Sequence, residues 1–163
     1  PVFSADGIVE LCFADEDAMR LAQASCIGRR YIPEDEPMFL RGWTLCIVDT
    51  EGEGGGVDDW PTKVIVPFVR TSDGGRDRLA AGFARVASKG GMRHSLDWTA
   101  STASRERLWS EPVPPSGFVT LRFDSVAAAH RALDEGTELR AILAAELADA
   151  TAYLVDELVL VAN

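Results

Sequence analysis

The chain carries the same stretch of sequence twice, and no other feature constrains its fold as much. Residues 7–13 read Gly-Ile-Val-Glu-Leu-Cys-Phe, and residues 117–123 read Gly-Phe-Val-Thr-Leu-Arg-Phe. Gly7, Val9, Leu11 and Phe13 return as Gly117, Val119, Leu121 and Phe123 at one offset. The same offset pairs Ala18 with Ala128, Ala22 with Ala132, Arg30 with Arg140, Ile32 with Ile142 and Glu36 with Glu146. After a small insertion, Leu45-Cys46-Ile47-Val48 falls on Leu158-Val159-Leu160-Val161. A repeat has to be settled before a fold is assigned, because each copy needs the same apolar face covered. Here the repeat unit is strand, helix, irregular or helical segment, strand. The second copy is preceded by its own strand and helix within residues 62–99. Only six loop-like residues stand before the first. That imbalance predicts a fragment, a processed product, or a numbering that starts inside a longer protein.

Alternation after Asp6-Gly7 predicts a strand over 7–13. Asp15-Glu16-Asp17 supplies the negative charge that a helix start favours, and the helix runs to about Ala24. Pro33 and Pro37 limit residues 28–40 to a short helix or a turn, and residues 43–49 form a strand. Residues 51–59 are a flexible acidic linker. A strand over 62–70, an amphipathic helix over 76–89 and a strand over 92–99 follow. Residues 100–116 form a polar loop. The second copy then gives a strand over 117–123, helices over 125–135 and 138–148, and a strand over 153–162. Three parts result: 1–50 as the second half of a first repeat, 51–61 as a linker, and 62–163 as a complete second repeat. The order over 62–163, strand-helix-strand-strand-helix-strand, is the split ferredoxin-like order, so the fold class is α+β with antiparallel sheets.

A length of 163 residues suits one domain, or two small ones sharing a core. The net charge of −10 is unevenly placed. Residues 1–60 hold 13 acidic and 4 basic side chains, while residues 61–163 hold 13 and 12. Such a chain repels nucleic acid and anionic membrane, so neither is expected as a partner. No apolar run is long enough to span a bilayer, and no amino-terminal segment is organised as a signal peptide. Cys12, Cys26 and Cys46 are odd in number and lack metal-ligand spacing, which predicts reduced thiols in a cytoplasmic protein.

Asp6-Gly7-Ile8-Val9-Glu10-Leu11-Cys12-Phe13, the acidic turn, Ala18-Met19-Arg20 and Glu36-Pro37-Met38-Phe39 resemble the second half of an EthD-type domain. That family belongs to the dimeric α+β-barrel superfamily. The resemblance covers residues 1–50 closely and 62–163 more loosely, because the glutamate of the strand is replaced by Thr120. It implies a ferredoxin-like fold whose sheet packs against a second sheet in a pseudo-symmetric barrel. The second sheet comes from the same chain as an intramolecular pseudo-dimer, or from a homodimer. Members and relatives act in small-molecule catabolism or aromatic polyketide processing. Superfamily relatives include cofactor-independent monooxygenases, polyketide cyclases and lactone isomerases, and many EthD-type proteins have no assigned activity. The implied partner is a small apolar or aromatic molecule, with no cofactor and no metal.

Alternation also sorts the side chains of the repeated strand. Val9, Leu11 and Phe13, like Val119, Leu121 and Phe123, should meet helices. Ile8, Glu10 and Cys12 should then face the barrel, as should Phe118, Thr120 and Arg122. Desolvation moves a carboxylate toward the range useful for proton transfer, which makes Glu10 the leading acid/base candidate. The competing reading is a structural ion pair, for which Arg122 is the natural partner. His94 shares a strand face with Met92, Leu96 and Trp98. It is either a general base in an apolar cleft or a core histidine. Arg122 would steady developing negative charge, with Cys12, Phe118, Thr120 and Trp98 lining the pocket. Trp43, Trp109 and Tyr153 could join that aromatic lining or serve only packing. His130 reads as a helix-surface residue. Two functions stay open: an enzyme moving a proton on a small ketone, polyketide or lactone, and a non-catalytic ligand-binding or assembly module.

Overall fold

A computed structural model describes residues 3–52, 60–70, 74–103 and 108–158. Two compact units make up the chain. The larger takes in Pro1–Phe3, Ile47–Ser101 and Pro115–Asn163, and the smaller Ser4–Cys46 and Thr102–Pro114.

The smaller unit begins with irregular chain and then α1, Glu16–Ala24. Asp15 caps this helix, its Oδ1 accepting from the Ala18 N–H at 2.7 Å. Such a cap satisfies one of the amides that a helix start leaves bare. Ser25 ends the helix, and a π-helical turn, Ile27–Tyr31, leads into α2, Ile32–Phe39. Gly28 lets that turn press on the end of α1, since a Cβ there would lie 2.5 Å from the Ala22 carbonyl oxygen. Residues 41–44 meet Trp109 through a parallel bridge between Gly42 and Trp109. The Trp43 N–H donates to the Trp109 carbonyl at 2.7 Å. Among the described residues of this unit, Glu36 is buried and no apolar side chain is.

The larger unit is an antiparallel sheet with helices on one face. Its elements are β1 (Leu45–Gly52, which starts in the smaller unit), β2 (Thr62–Arg70), α3 (Gly75–Ala87), β3 (Arg93–Ala103), β4 (Gly117–Phe123), α4 (Val126–Leu133), α5 (Glu138–Glu146), β5 (Leu147–Ala148) and β6 (Tyr153–Val155). The strand order is β1-β3-β4-β2-β5, with β6 also on β2. In β2, β3, β4 and β6 this is the ferredoxin-like arrangement, with β2 and β4 paired at the centre. Val64, Val66 and Phe68 of β2, and Val119, Leu121 and Phe123 of β4, form the core with Leu79 and Phe83 of α3, Ala129 of α4, and Leu139 and Leu143 of α5. Gly82 brings α3 close to α5, because a Cβ there would touch Ile142 at 3.1 Å. Arg78–Glu146 and Arg85–Glu138 ion pairs, at 2.9 and 2.6 Å, bridge the same two helices. Gly117 is required by its neighbours. An added Cβ would lie 2.5 Å from the Asp97 carbonyl oxygen and 2.8 Å from the Phe68 ring.

Pro67 splits the outer edge of β2. Its carbonyl accepts from Thr151 N–H on that edge, at 3.3 Å. In an antiparallel strand a residue's N–H and C=O point to the same side, so the donor that proline lacks is missing there. The edge is accordingly covered in two pieces, β6 on residues 63–65 and β5 on residues 69–70.

The elements expected over 62–70 and 117–123 form as strands with those bounds. The strand expected at 7–13 does not form, and those residues are irregular. Val9 and Leu11 are 84% and 70% exposed. A strand persists only when a neighbour completes its ladder, and no ladder partner for 7–13 appears among the described residues. The second ferredoxin-like sheet anticipated from the first repeat is therefore absent among them. Residues 53–59 of the anticipated linker lie outside the described residues, as do residues 159–162 of the strand expected over 153–162; of its described part, Tyr153–Val155 form β6 and residues 156–158 are irregular. Among the described residues, no helix is long and apolar enough to cross a membrane.

Candidate functional site

Strand register fixes which side chains share the sheet face turned away from α3, α4 and α5. Lys63, Ile65 and Pro67 of β2 oppose Arg122, Thr120 and Phe118 of β4. Arg93, Ser95 and Asp97 of β3 oppose the same three from the other side. Tyr153 and Val155 of β6 stand beside Ile65 and Lys63, and alternation continues that face to Glu157.

The polar centre of this face is a buried charge cluster. Lys63 is 3% exposed and Arg122 8%. Lys63 Nζ donates to Glu157 Oε1 at 2.8 Å, and Arg122 Nη2 donates to the same oxygen at 2.9 Å. Arg122 Nη1 lies 2.8 Å from Glu157 Oε2, close enough for strong attraction, but that buried oxygen accepts no hydrogen bond of good geometry. Nη1 also reaches the Trp60 carbonyl at 3.5 Å. The Glu157 carboxyl is held down at about 2, chiefly by the Arg122 hydrogen bond. Partial burial opposes this, and Lys63 adds to it. Glu157 is thus ionised throughout the neutral range. Next to the cluster, the hydroxyl residues Ser95 and Thr120 are register partners, 6% and 7% exposed.

Of the residues anticipated for the site, Arg122, Thr120 and Phe118 come together on this face. His94 does not join them. It pairs with Leu121 and sits on the helix face, its ring 5.6 Å from the Phe83 ring of α3. Burial pushes its pKa down, favouring neutral imidazole. It lines a cavity of about 530 Å³ with Trp60, Ala87, Met92 and Arg93. That cavity lies at the α3–β3 turn, and neither Ser95 nor Thr120 lines it. Trp98 is also on the helix face, edge-on to Phe68 at 5.6 Å, and its Nε1 donates to Glu51 Oε2 at 3.0 Å. Arg76 stacks over its ring at 5.0 Å and pairs with Glu51. A register of two-residue period cannot bring His94 or Trp98 to the side of Arg122.

Glu10 and Cys12 belong to the smaller unit, where both are exposed. The desolvation argument for Glu10 as an acid or base required a formed barrel strand, and residues 7–13 form none. The carboxylate found at Arg122 is Glu157. Trp43 and Trp109 lie in the smaller unit, Trp109 exposed. Tyr153 O–H donates to the Phe3 carbonyl. His130 is an exposed residue of α4, on the helix surface.

Lys63 and Glu157 were not anticipated. A signal for Lys63 was present: it is a lone lysine in a Val/Ile-rich strand, in phase with Ile65 rather than Val64. Glu157 carried less signal, since one acidic residue near a chain end reads as a solvated position.

No family model matches the chain, and no curated protein matches it. Among solved structures, the chain is similar to a crystal structure described as an anthrone oxidase-like protein. The TM-score is 0.61 and the identity 16%, over 85% of this chain and 65% of that one. The chain thus spans just under two thirds of that neighbour's length. At this identity the likeness concerns the fold, a mixed α+β architecture around an antiparallel sheet.

Proposed function

We propose that the sheet face carrying Arg122, Thr120 and Ser95 binds a small aromatic compound that bears a carbonyl, enol or phenol oxygen. The observation that carries this reading is a buried guanidinium, fixed by Glu157, beside a pair of hydroxyl residues. Phe118 and Ile65 on the same face supply apolar contact for a ring. A preorganised cation in a region short of water favours the anionic form of such a ligand, and the released proton passes to solvent. The fold shared with an anthrone oxidase-like protein supports a fused-ring aromatic ketone as the ligand class. In the enzymatic form of this proposal, the bound enolate reacts with dioxygen. One CH₂ becomes C=O and one molecule of water leaves, with no added cofactor.

A second reading is a binding or assembly module without turnover. Glu157 favours it, because a carboxylate held at about 2 and clamped by two cations is a poor proton acceptor at neutral pH. One experiment tests both readings. The chain is titrated with anthrone and 1-naphthol while ligand absorbance and oxygen uptake are followed. The expected result is saturable binding with a shift toward the anion. Arg122→Gln and Thr120→Val should each weaken it, by about ten-fold for the arginine. Oxygen uptake above buffer decides for the enzyme. Binding that is absent, or equal in both variants, rejects the site.

A further inference from the structure

The cavity of about 530 Å³ at the α3–β3 turn is lined wholly by residues of the larger unit. Trp60, Ala87 and Met92 give it apolar walls. Gly90 and Gly91 add bare backbone. Both have positive φ, 81° and 84°, which glycine adopts without strain, and a Cβ on either would meet no atom within 4 Å. The turn thus calls for two glycines, and the space that side chains would fill beside them stays open. Ligand pockets run from about 300 to about 1,000 Å³, so the volume suits a small organic molecule.

His94 supplies a polar group to this wall. Its ring is half buried and tilted against Phe83. Among the described residues its nitrogens make no hydrogen bond. Burial is what lowers its pKa, and no charged neighbour contributes. Neither nitrogen is sealed off, because Glu157 Oε2 is the one buried side-chain polar atom without a partner among the described residues. A neutral imidazole carries one N–H donor and one acceptor nitrogen. Leaving both unused in a half-buried place costs free energy that an apolar residue of similar size would avoid. A ligand hydroxyl removes that cost, because it can donate to one nitrogen or accept from the other. Apolar walls and an uncharged imidazole favour a neutral ligand over an anion. Arg93 also lines the cavity, but it is exposed, with its guanidinium 5.9 Å from the centre of the Trp60 ring, so solvent screens its charge.

We propose that this cavity is a second binding site, distinct from the Arg122 face, and that it takes a small neutral phenol, its ring against Trp60 and Met92 and its hydroxyl on His94. Register separates the two sites, since His94 pairs with Leu121 on the helix face of the sheet. The test is NMR of the intact chain at about pH 8, where His94 and a phenol of ordinary pKa, about 10, are both neutral. The chain has two histidines, and the other, His130, is exposed. p-Cresol should shift the His94 Cε1–H resonance saturably and leave that of His130 in place. Toluene, which lacks the hydroxyl, should bind about five- to ten-fold more weakly, as expected for one net hydrogen bond. Ala87→Leu, which fills the cavity from α3, should abolish the shift. His94→Phe keeps a ring beside Phe83 and should reduce p-cresol to the affinity of toluene, followed at the Met92 methyl resonance. Arg122→Gln should change nothing here, so failure at the Arg122 face and failure at this site are separate results. Absence of a saturable shift at His94 overturns the inference, and so does a shift that survives Ala87→Leu. Equal binding of p-cresol and toluene, or tighter binding of p-toluate than of p-cresol, overturns the neutral phenol as the ligand.

Discussion

Glu157 should supply a stability term that can be measured separately from the rest of the molecule. Its carboxyl moves from an ordinary value of 4.5 to about 2 in the folded chain, first through Arg122 and then through Lys63. Each unit of pKa corresponds to about 1.4 kcal/mol, so the linked contribution at neutral pH is about 3 kcal/mol. Its side chain is only 17% exposed, so screening by solvent leaves most of that in place. Because the folded value lies below the unfolded one, the contribution is complete above about pH 4.5 and is lost as pH falls toward 2. The perturbation is Glu157→Gln, which keeps the shape and removes the charge. In urea unfolding at pH 7 the variant should be about 3 kcal/mol less stable, a midpoint shift of roughly 1–2 M. The difference should shrink to less than half by about pH 3, as the wild-type carboxyl binds its proton in the unfolded chain. Glu51, Glu138 and Glu146 are also lowered by their arginine and lysine partners, but they occur in both proteins and cancel in the comparison. Parallel stability curves from pH 7 to pH 3 would refute the argument that Arg122 and Lys63 hold this group ionised.

Two further outcomes follow from the packing and the caps. Gly117→Ala should destabilise the larger unit by about 1–3 kcal/mol, because the new methyl collides with the backbone of Asp97, which cannot swing aside; chemical denaturation measures it. Asp15→Ala and Ser125→Ala should each cost about 1 kcal/mol locally, with faster hydrogen exchange at the Ala18 and Ala128 amides respectively, and unchanged exchange in either variant would contradict the cap.

Much of the larger unit could be read from local pattern. Val119, Leu121 and Phe123 alternate without interruption, and all three lie in the core under the helices, with Arg122 and Thr120 on the other side. Alternation likewise put His94 on the strand face of Leu96 and Trp98. It could not say whether that face met helices or a ligand, since the answer depends on which neighbour lies above it. Phe83 of α3 occupies that position. The Lys63–Glu157–Arg122 cluster joins residues 94 positions apart in the chain, a pairing that no local period encodes. Residues 7–13 show the opposite case. Their alternation is as regular as that of 117–123, yet a pattern reports only what a segment can do once its ladder is completed.

Pro67 has a consequence for solubility. A sheet ends at an edge, and an edge with a continuous row of free donors and acceptors invites the next chain to add a strand. The far edge of this sheet, β1, carries Asp49 and Glu51, and charge discourages stacking there. On the near edge, Pro67 removes a donor from the middle of β2, and the covering chain is divided into two short pieces, β5 and β6. Among the described residues, neither piece offers a run long enough to template a neighbour. Among the described residues, one proline in a strand of valine, isoleucine and phenylalanine thus discourages addition of a further strand at this edge.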